Sequence, residues 1–189
     1  MKKIGLLGGT FDPPHIAHFI IADEVKFALQ LDEIWFIPTN VPPHKQSALS
    51  SNEHRANMLN HAIKKVSYFK VSTIEFNRSG KSYTIDTIKV LKKQHADVLF
   101  YFIIGADMIE YLPNWKEIDS LLKEVQFVGV KRPGYNENTD YPIIEVEVPL
   151  IDVSSTDIKQ RIKNDLPFAF FLPDEVFQYV KEHQLYGCK

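Results

Sequence analysis

Along the chain, short and wholly apolar runs alternate with longer stretches whose apolar residues recur every three or four positions. The runs at 4–7, 34–37 and 98–104 predict buried strands, the more mixed stretches 125–130 and 143–148 predict further strands, and 68–76 predicts a strand followed by an irregular piece. Helical periodicity predicts helices over 15–30, 53–65, 118–124 and 173–183, the last opened by Pro173. Ser82 or Thr84 can cap a further helix running to Gln94, and Ser154 or Ser155 one running to Lys163. Because 98–104 is apolar at every position, it belongs at the centre of the sheet. In the first helix the apolar line is Ile21, Val25, Ala28 and Leu29.

Such alternation implies a mostly parallel sheet with helices on both faces, a Rossmann-like, doubly wound α/β fold. The 189 residues suit one domain over 1–189, with a helical part from about 154 to 189 packed on it. Ligands of these sheets bind beyond the carboxyl ends of the strands. Polar segments follow strand ends at 8–18, 38–45, 105–107 (read as a turn) and 131–134, the last running into a surface loop over 132–141. They are expected to line one crevice.

The segment Gly8-Gly9-Thr10-Phe11-Asp12-Pro13-Pro14-His15-Ile16-Ala17-His18 carries the most chemistry. Its glycines leave backbone N–H groups free beside a helix N-terminus, which attracts anions. Gly8-Gly9 alone is equally a tight strand-to-helix connection, since it lacks the lysine-serine ending of a P-loop and the spacing of a dinucleotide fingerprint. The histidines add the missing direction. His18 heads the line through Ile21 and Val25 and so faces the sheet, with His15 one turn back on a similar side. Together they point to phosphate. Their spacing is not that of a zinc pair and no third ligand is evident, so no protein-held metal is expected. Asp12 is expected to cap the first helix.

Composition then limits the partners. A net charge of −2 gives no basic footprint for nucleic acid or for a membrane surface, so any phosphate affinity is local. The sole cysteine, Cys188, excludes an internal disulfide and a cysteine-zinc cage, which fits a reducing cytoplasm. The N-terminal apolar run is too short for a signal peptide. The longest apolar stretch, 98–106, falls far short of the ~20 residues that span a bilayer. Oligomeric state, a homo-oligomer included, stays open.

Residues 8–18 resemble the signature of the nucleotidyltransferase superfamily related to class I aminoacyl-tRNA synthetases, with Ala17 where the signature has glycine. Ser154-Ser155-Thr156-Asp157-Ile158-Lys159 resembles that superfamily's Ser-Ser-Thr-x-Ile-Arg segment. Lys159 keeps the arginine's charge but loses its bidentate fork. Within the superfamily, nearly the whole chain is similar to the bacterial nicotinate-nucleotide adenylyltransferases. The matching residues are Phe36-Ile37-Pro38 with Pro42-Pro43-His44-Lys45, His54-Arg55 with Met58-Leu59, and Ser82-Tyr83-Thr84-Ile85-Asp86-Thr87. Ile103-Ile104-Gly105-Ala106-Asp107, Asn114-Trp115 and Leu185-Tyr186 match as well.

The resemblance implies transfer of the adenylyl group of ATP to nicotinate mononucleotide, giving nicotinate adenine dinucleotide and pyrophosphate, a step of NAD biosynthesis. Alternatives are another adenylyltransferase, with nicotinamide mononucleotide or phosphopantetheine as acceptor, and a non-catalytic nucleotide sensor. It assigns catalysis to His15 and His18. It assigns ATP to Gly8, Gly9, Thr10, Phe11, Gly105, Asp107 and Arg132, together with Ser154, Ser155, Thr156 and Lys159. The pyridine nucleotide falls to His44, Lys45, Arg55, Tyr83, Thr84 and Trp115. Mg²⁺ is expected to arrive with ATP, held mainly by its phosphates. The residues' own chemistry leaves two of these open. Trp115 suits stacking on a pyridine ring, with an apolar lid as the lesser alternative; Asp107 suits a ribose hydroxyl, with a simple helix cap as its alternative.

Overall fold

Strand β1 (Lys2–Gly9) leads into α1 (Ile16–Ala28), β2 (Glu33–Pro38) into α2 (Asn52–Ile63), and β3 (Phe69–Val71) into α3 (Thr84–Gln94). In the second half, β4 (Val98–Gly105) runs into α4 (Ala106–Tyr111), and α5 (Ile118–Glu124) precedes β5 (Gln126–Lys131). Strand β6 (Ile143–Glu147) then precedes α6 (Ser155–Lys163) and α7 (Asp174–Glu182). The computed structural model describes residues 1–42, 48–131 and 139–189. Among these, six parallel strands form one sheet in the order β3-β2-β1-β4-β5-β6. The order reverses direction between β1 and β4, whose carboxyl ends therefore flank a crevice.

Alternation along the central strands fills both faces of the sheet. Leu7, Tyr101 and Ile103 point to one face, where Ala22 and Val25 of α1 and Leu59 and Ile63 of α2 cover them. Ile4, Leu6, Phe100 and Phe102 point to the other, under Ile85 and Ile88 of α3 and Leu121 of α5. A third cluster joins Met58 of α2 to Ile158 and Ile162 of α6 and to Val176 and Val180 of α7. Through it the C-terminal helices are seated beside the first face.

The strand with an irregular piece after it expected over 68–76 is present, as Phe69–Val71 followed by turns in which Thr73 O accepts from Phe76 N and Glu75 O from Arg78 N. Other local expectations change. Residues 105–107 are no free turn: Gly105 is the N-cap of α4, so strand passes straight into helix. Neither Ser82 nor Thr84 caps α3. Tyr83 is its N-cap, and Ser82 bonds instead to the backbone of Val41, donating its N–H at 2.8 Å. On α1 the core face runs through Ala22 and Val25, leaving Ala28 exposed at the helix end.

Candidate active site

The turn after β1 is shaped by Phe11, which adopts a left-handed backbone (φ 50°) and folds its ring back over Gly9. A Cβ on Gly9 would lie 3.0 Å from that ring, so only glycine lets the two approach. Phe11 is buried, edge-on to His18 with ring centroids 4.9 Å apart. His15 is the N-cap of α1, and its backbone N–H donates to Nδ1 of His18 at 3.1 Å. An accepting Nδ1 places the proton of a neutral His18 on Nε2. The two imidazoles stack at 3.7 Å. No acidic residue of the first turn of α1 offsets the positive end of the helix.

Asp12 does not cap α1, contrary to expectation. Its carboxylate is buried and accepts from the backbone N–H groups of Leu49 and Ser50, the hydroxyl of Tyr186 and the ammonium of Lys159. Burial opposes ionisation, but these donors outweigh it and hold the Asp12 carboxyl below the usual range. Burial first, and the Asp12 charge second, push the Tyr186 phenol well above its ordinary value.

Helix α6 forms the facing wall. Ser154 caps it by accepting from Asp157 N at 3.1 Å, and the Ser155 hydroxyl donates to Pro13 O at 2.8 Å, stitching α6 to the β1 turn. A cavity of about 980 Å³ opens where these meet. Gly8 and Gly9, which continue β1 beside β2 where the sequence suggested a turn, line it. So do Thr10 and Phe11 of the turn that follows, with His15 and His18 at the start of α1. Gly105 and Asp107 line it from the end of β4, and Ser154, Ser155, Thr156 and Lys159 from α6. Tyr83 and Thr84 line it from the start of α3, and Trp115 from beyond α4. There Trp115 stands edge-on to Phe102 and Phe127, at 5.8 Å and 5.9 Å.

Arg55 is not in this company. It is 0% exposed, and its guanidinium donates to Thr10 O and Thr39 O, both at 2.8 Å, and to the side chain of Asn52. The reason is positional: Arg55 lies on the inner face of α2 beside Met58 and Leu59, aimed at the ends of β1 and β2. It braces the site from behind. His44, Lys45 and Arg132 lie outside the described residues. Ala17 is 1% exposed and is not among the described lining residues, so its methyl group packs inward.

Several lining residues lay outside the sequence reading of the site, three of them charged: Asp12, Glu75 and Lys116. Lys116 lies 4.7 Å over the Tyr83 ring and 3.2 Å from Asp86, and Glu75 accepts from the Thr87 hydroxyl at 2.8 Å. Both sit in short irregular segments between elements. Adjacency to Trp115 was the one available signal for Lys116.

The family model described as cytidylyltransferase-like matches residues 6–161. A Bacillus licheniformis protein named as a probable nicotinate-nucleotide adenylyltransferase is 54% identical, over 98% of this chain and 99% of the relative. The nicotinate-nucleotide adenylyltransferase of Bacillus subtilis is 49% identical, over 98% of this chain and 99% of the relative. Among solved structures, Plasmodium falciparum nicotinic acid mononucleotide adenylyltransferase complexed with NaAD superposes with a TM-score of 0.83 at 23% identity, covering 100% of this chain and 99% of that one.

Proposed function

The chain belongs to the nicotinate-nucleotide adenylyltransferase family, and from that premise we infer that it transfers the adenylyl group of ATP to nicotinate mononucleotide. The products are nicotinate adenine dinucleotide and pyrophosphate, a step of NAD biosynthesis. One observation carries the reading at the level of the site: a single cavity joins an anion-binding end, with a helix N-terminus and two histidines, to an aromatic end at Trp115. Its volume, near the top of the usual range for small-molecule sites, suits two nucleotides.

The acceptor's own phosphate oxygen attacks the α-phosphorus of ATP in line. The new P–O bond forms as the bond to the β-phosphate bridge breaks, and pyrophosphate leaves with the electron pair. No protein nucleophile takes part. Catalysis rests on positioning and on donors aimed at the charge of the transferred phosphorus. Nε2 of His18 and the amides of Gly8 to Thr10 serve the α-phosphate. His15, Lys159 and the start of α6 serve the β- and γ-phosphates, while Asp107 takes a ribose hydroxyl. The amides at the start of α3, around Thr84, take the ring carboxylate, and Trp115 stacks on the pyridine.

Mg²⁺ fits this site as a passenger of ATP. Among the described residues no group of three or more acidic, histidine or cysteine side chains is placed to hold a metal, while the phosphate end is built of donors. Bound to phosphates and water, the ion offsets their charge. We read 1–189 as one catalytic domain and its site of action as the cytoplasm; no described helix is long and apolar enough to cross a membrane.

Pyrophosphate release from ATP with nicotinate mononucleotide, set against its amide counterpart, tests the reading. The acid is expected to be the better acceptor, and silence with the acid overturns it. Trp115→Ala is expected to raise KM for the mononucleotide roughly tenfold, the scale of one lost ring stack. A change confined to ATP kinetics would mean that the two ends are exchanged.

A further inference from the structure

The Leu185-Tyr186 pair near the C-terminus and the carboxylate of Asp12 have no part in the steps above, yet they meet. Asp12 is 1% exposed, and its two oxygens accept four donors, two apiece. Oδ1 takes the Ser50 amide at 3.2 Å and the Tyr186 hydroxyl at 2.8 Å. Oδ2 takes the Leu49 amide at 2.8 Å and the Lys159 ammonium at 3.4 Å. A carboxylate has about four lone-pair positions. All are spoken for.

The donors differ in freedom. Two are backbone amides just before α2 and one is a hydroxyl held on a short 3-10 turn over Leu185–Gly187. The fourth is the end of a flexible stem, and its contact is the longest. Of the four donors Leu49 and Lys159 line the cavity, as Asp12 itself does, but Lys159 is the one that donates from a side chain there, a quarter exposed against 1% for Asp12. Asp12 is too firmly held to follow a ligand. It keeps the ammonium inside the cavity, where a free lysine would point its charge to water and lose rotamer freedom on binding.

We propose that Asp12 is a positioning residue that acts through Lys159, pre-placing its ammonium for the phosphates of ATP while Leu49, Ser50 and Tyr186 fix the carboxylate. The proposal rests on the reading of α6 as the phosphate-binding wall. It explains how lysine serves at 159: an arginine brings a rigid fork of its own, and a lysine needs its direction supplied.

The test is a double-mutant cycle on the full chain, with KM for ATP and Tm measured for every member. Asp12→Asn is expected to raise KM for ATP about tenfold when Lys159 is present, the scale of one charge-assisted hydrogen bond. In the Lys159→Met background the same change should move it by less than about twofold, because contacts that act as a unit are not additive. A purely structural role lowers Tm and gives the same factor in both backgrounds, and that result overturns the proposal.

Tyr186→Phe supplies a second route if Asp12→Asn does not fold. It removes one restraint on the carboxylate from a residue that is not among the described lining residues. KM for ATP should rise about threefold with Lys159 present and hold steady without it. Equal factors again overturn the proposal. A wild-type chain that released no pyrophosphate would remove the parent reading as well, whereas an uncoupled cycle in an active chain removes only this one.

Discussion

His18→Ala lowers kcat by about 10²–10³, the scale of one donor lost from a transition state. The expectation follows from the cap of α1. Because Nδ1 of His18 accepts the His15 N–H at 3.1 Å, the ring is turned so that Nε2 is the proton-bearing atom of the neutral side chain. Phe11 against one part of the ring and His15 stacked on it fix that orientation before any ligand arrives. Alanine removes both the donor and half of the cap, and losing a cap costs only about 1 kcal/mol. Turnover should therefore fall far more than stability does. Pyrophosphate-release kinetics beside a thermal melt separate the two, and near-normal kcat in a folded variant would take His18 out of the chemistry.

Arg55→Met is expected to destabilise the protein by about 3–5 kcal/mol, the range for breaking a buried charged network. Its guanidinium spans the last turns of β1 and β2 through Thr10 O and Thr39 O, and a methionine leaves both carbonyls without these bonds. Burial pulls the guanidinium's pKa down, partly offset by the negative charges of Asp12 and Glu75. Urea denaturation measures the loss. In the folded fraction, KM for the mononucleotide should stay within about twofold, since Arg55 is 0% exposed. A selective rise in that KM at unchanged stability would return Arg55 to the substrate.

Much of this architecture was legible before any coordinates. The apolar runs located the central strands because a parallel strand is buried on both faces and leaves no polar position along its length. Edges were harder. The third strand is an edge strand three residues long, and although a strand followed by an irregular piece was legible over 68–76, the point where one gives way to the other was not. Helix starts were misread at Asp12 and Ser82 for a common reason. Cap propensity is local, whereas both side chains are claimed by distant partners: Leu49, Ser50 and Tyr186 in one case, Val41 in the other. Arg55 shows the same limit. A charged residue in a motif reads as a ligand contact, and only tertiary structure reveals that its hydrogen bonds run to backbone carbonyls.

The placing of β1 between β2 and β4 also bears on how the protein folds. The pairing of β1 with β4 joins residue 2 to residue 98, across the whole first half of the chain. Contacts so far apart in sequence carry the largest loop-closure cost and tend to form slowly. Early structure is then expected within each half, and the crevice appears only when the halves come together, along that strand pair and through the seating of α6 and α7 on α2. A chain stalled before this step has helices and strands but nowhere for a nucleotide to bind, so ligand occupancy reports completed folding rather than compactness.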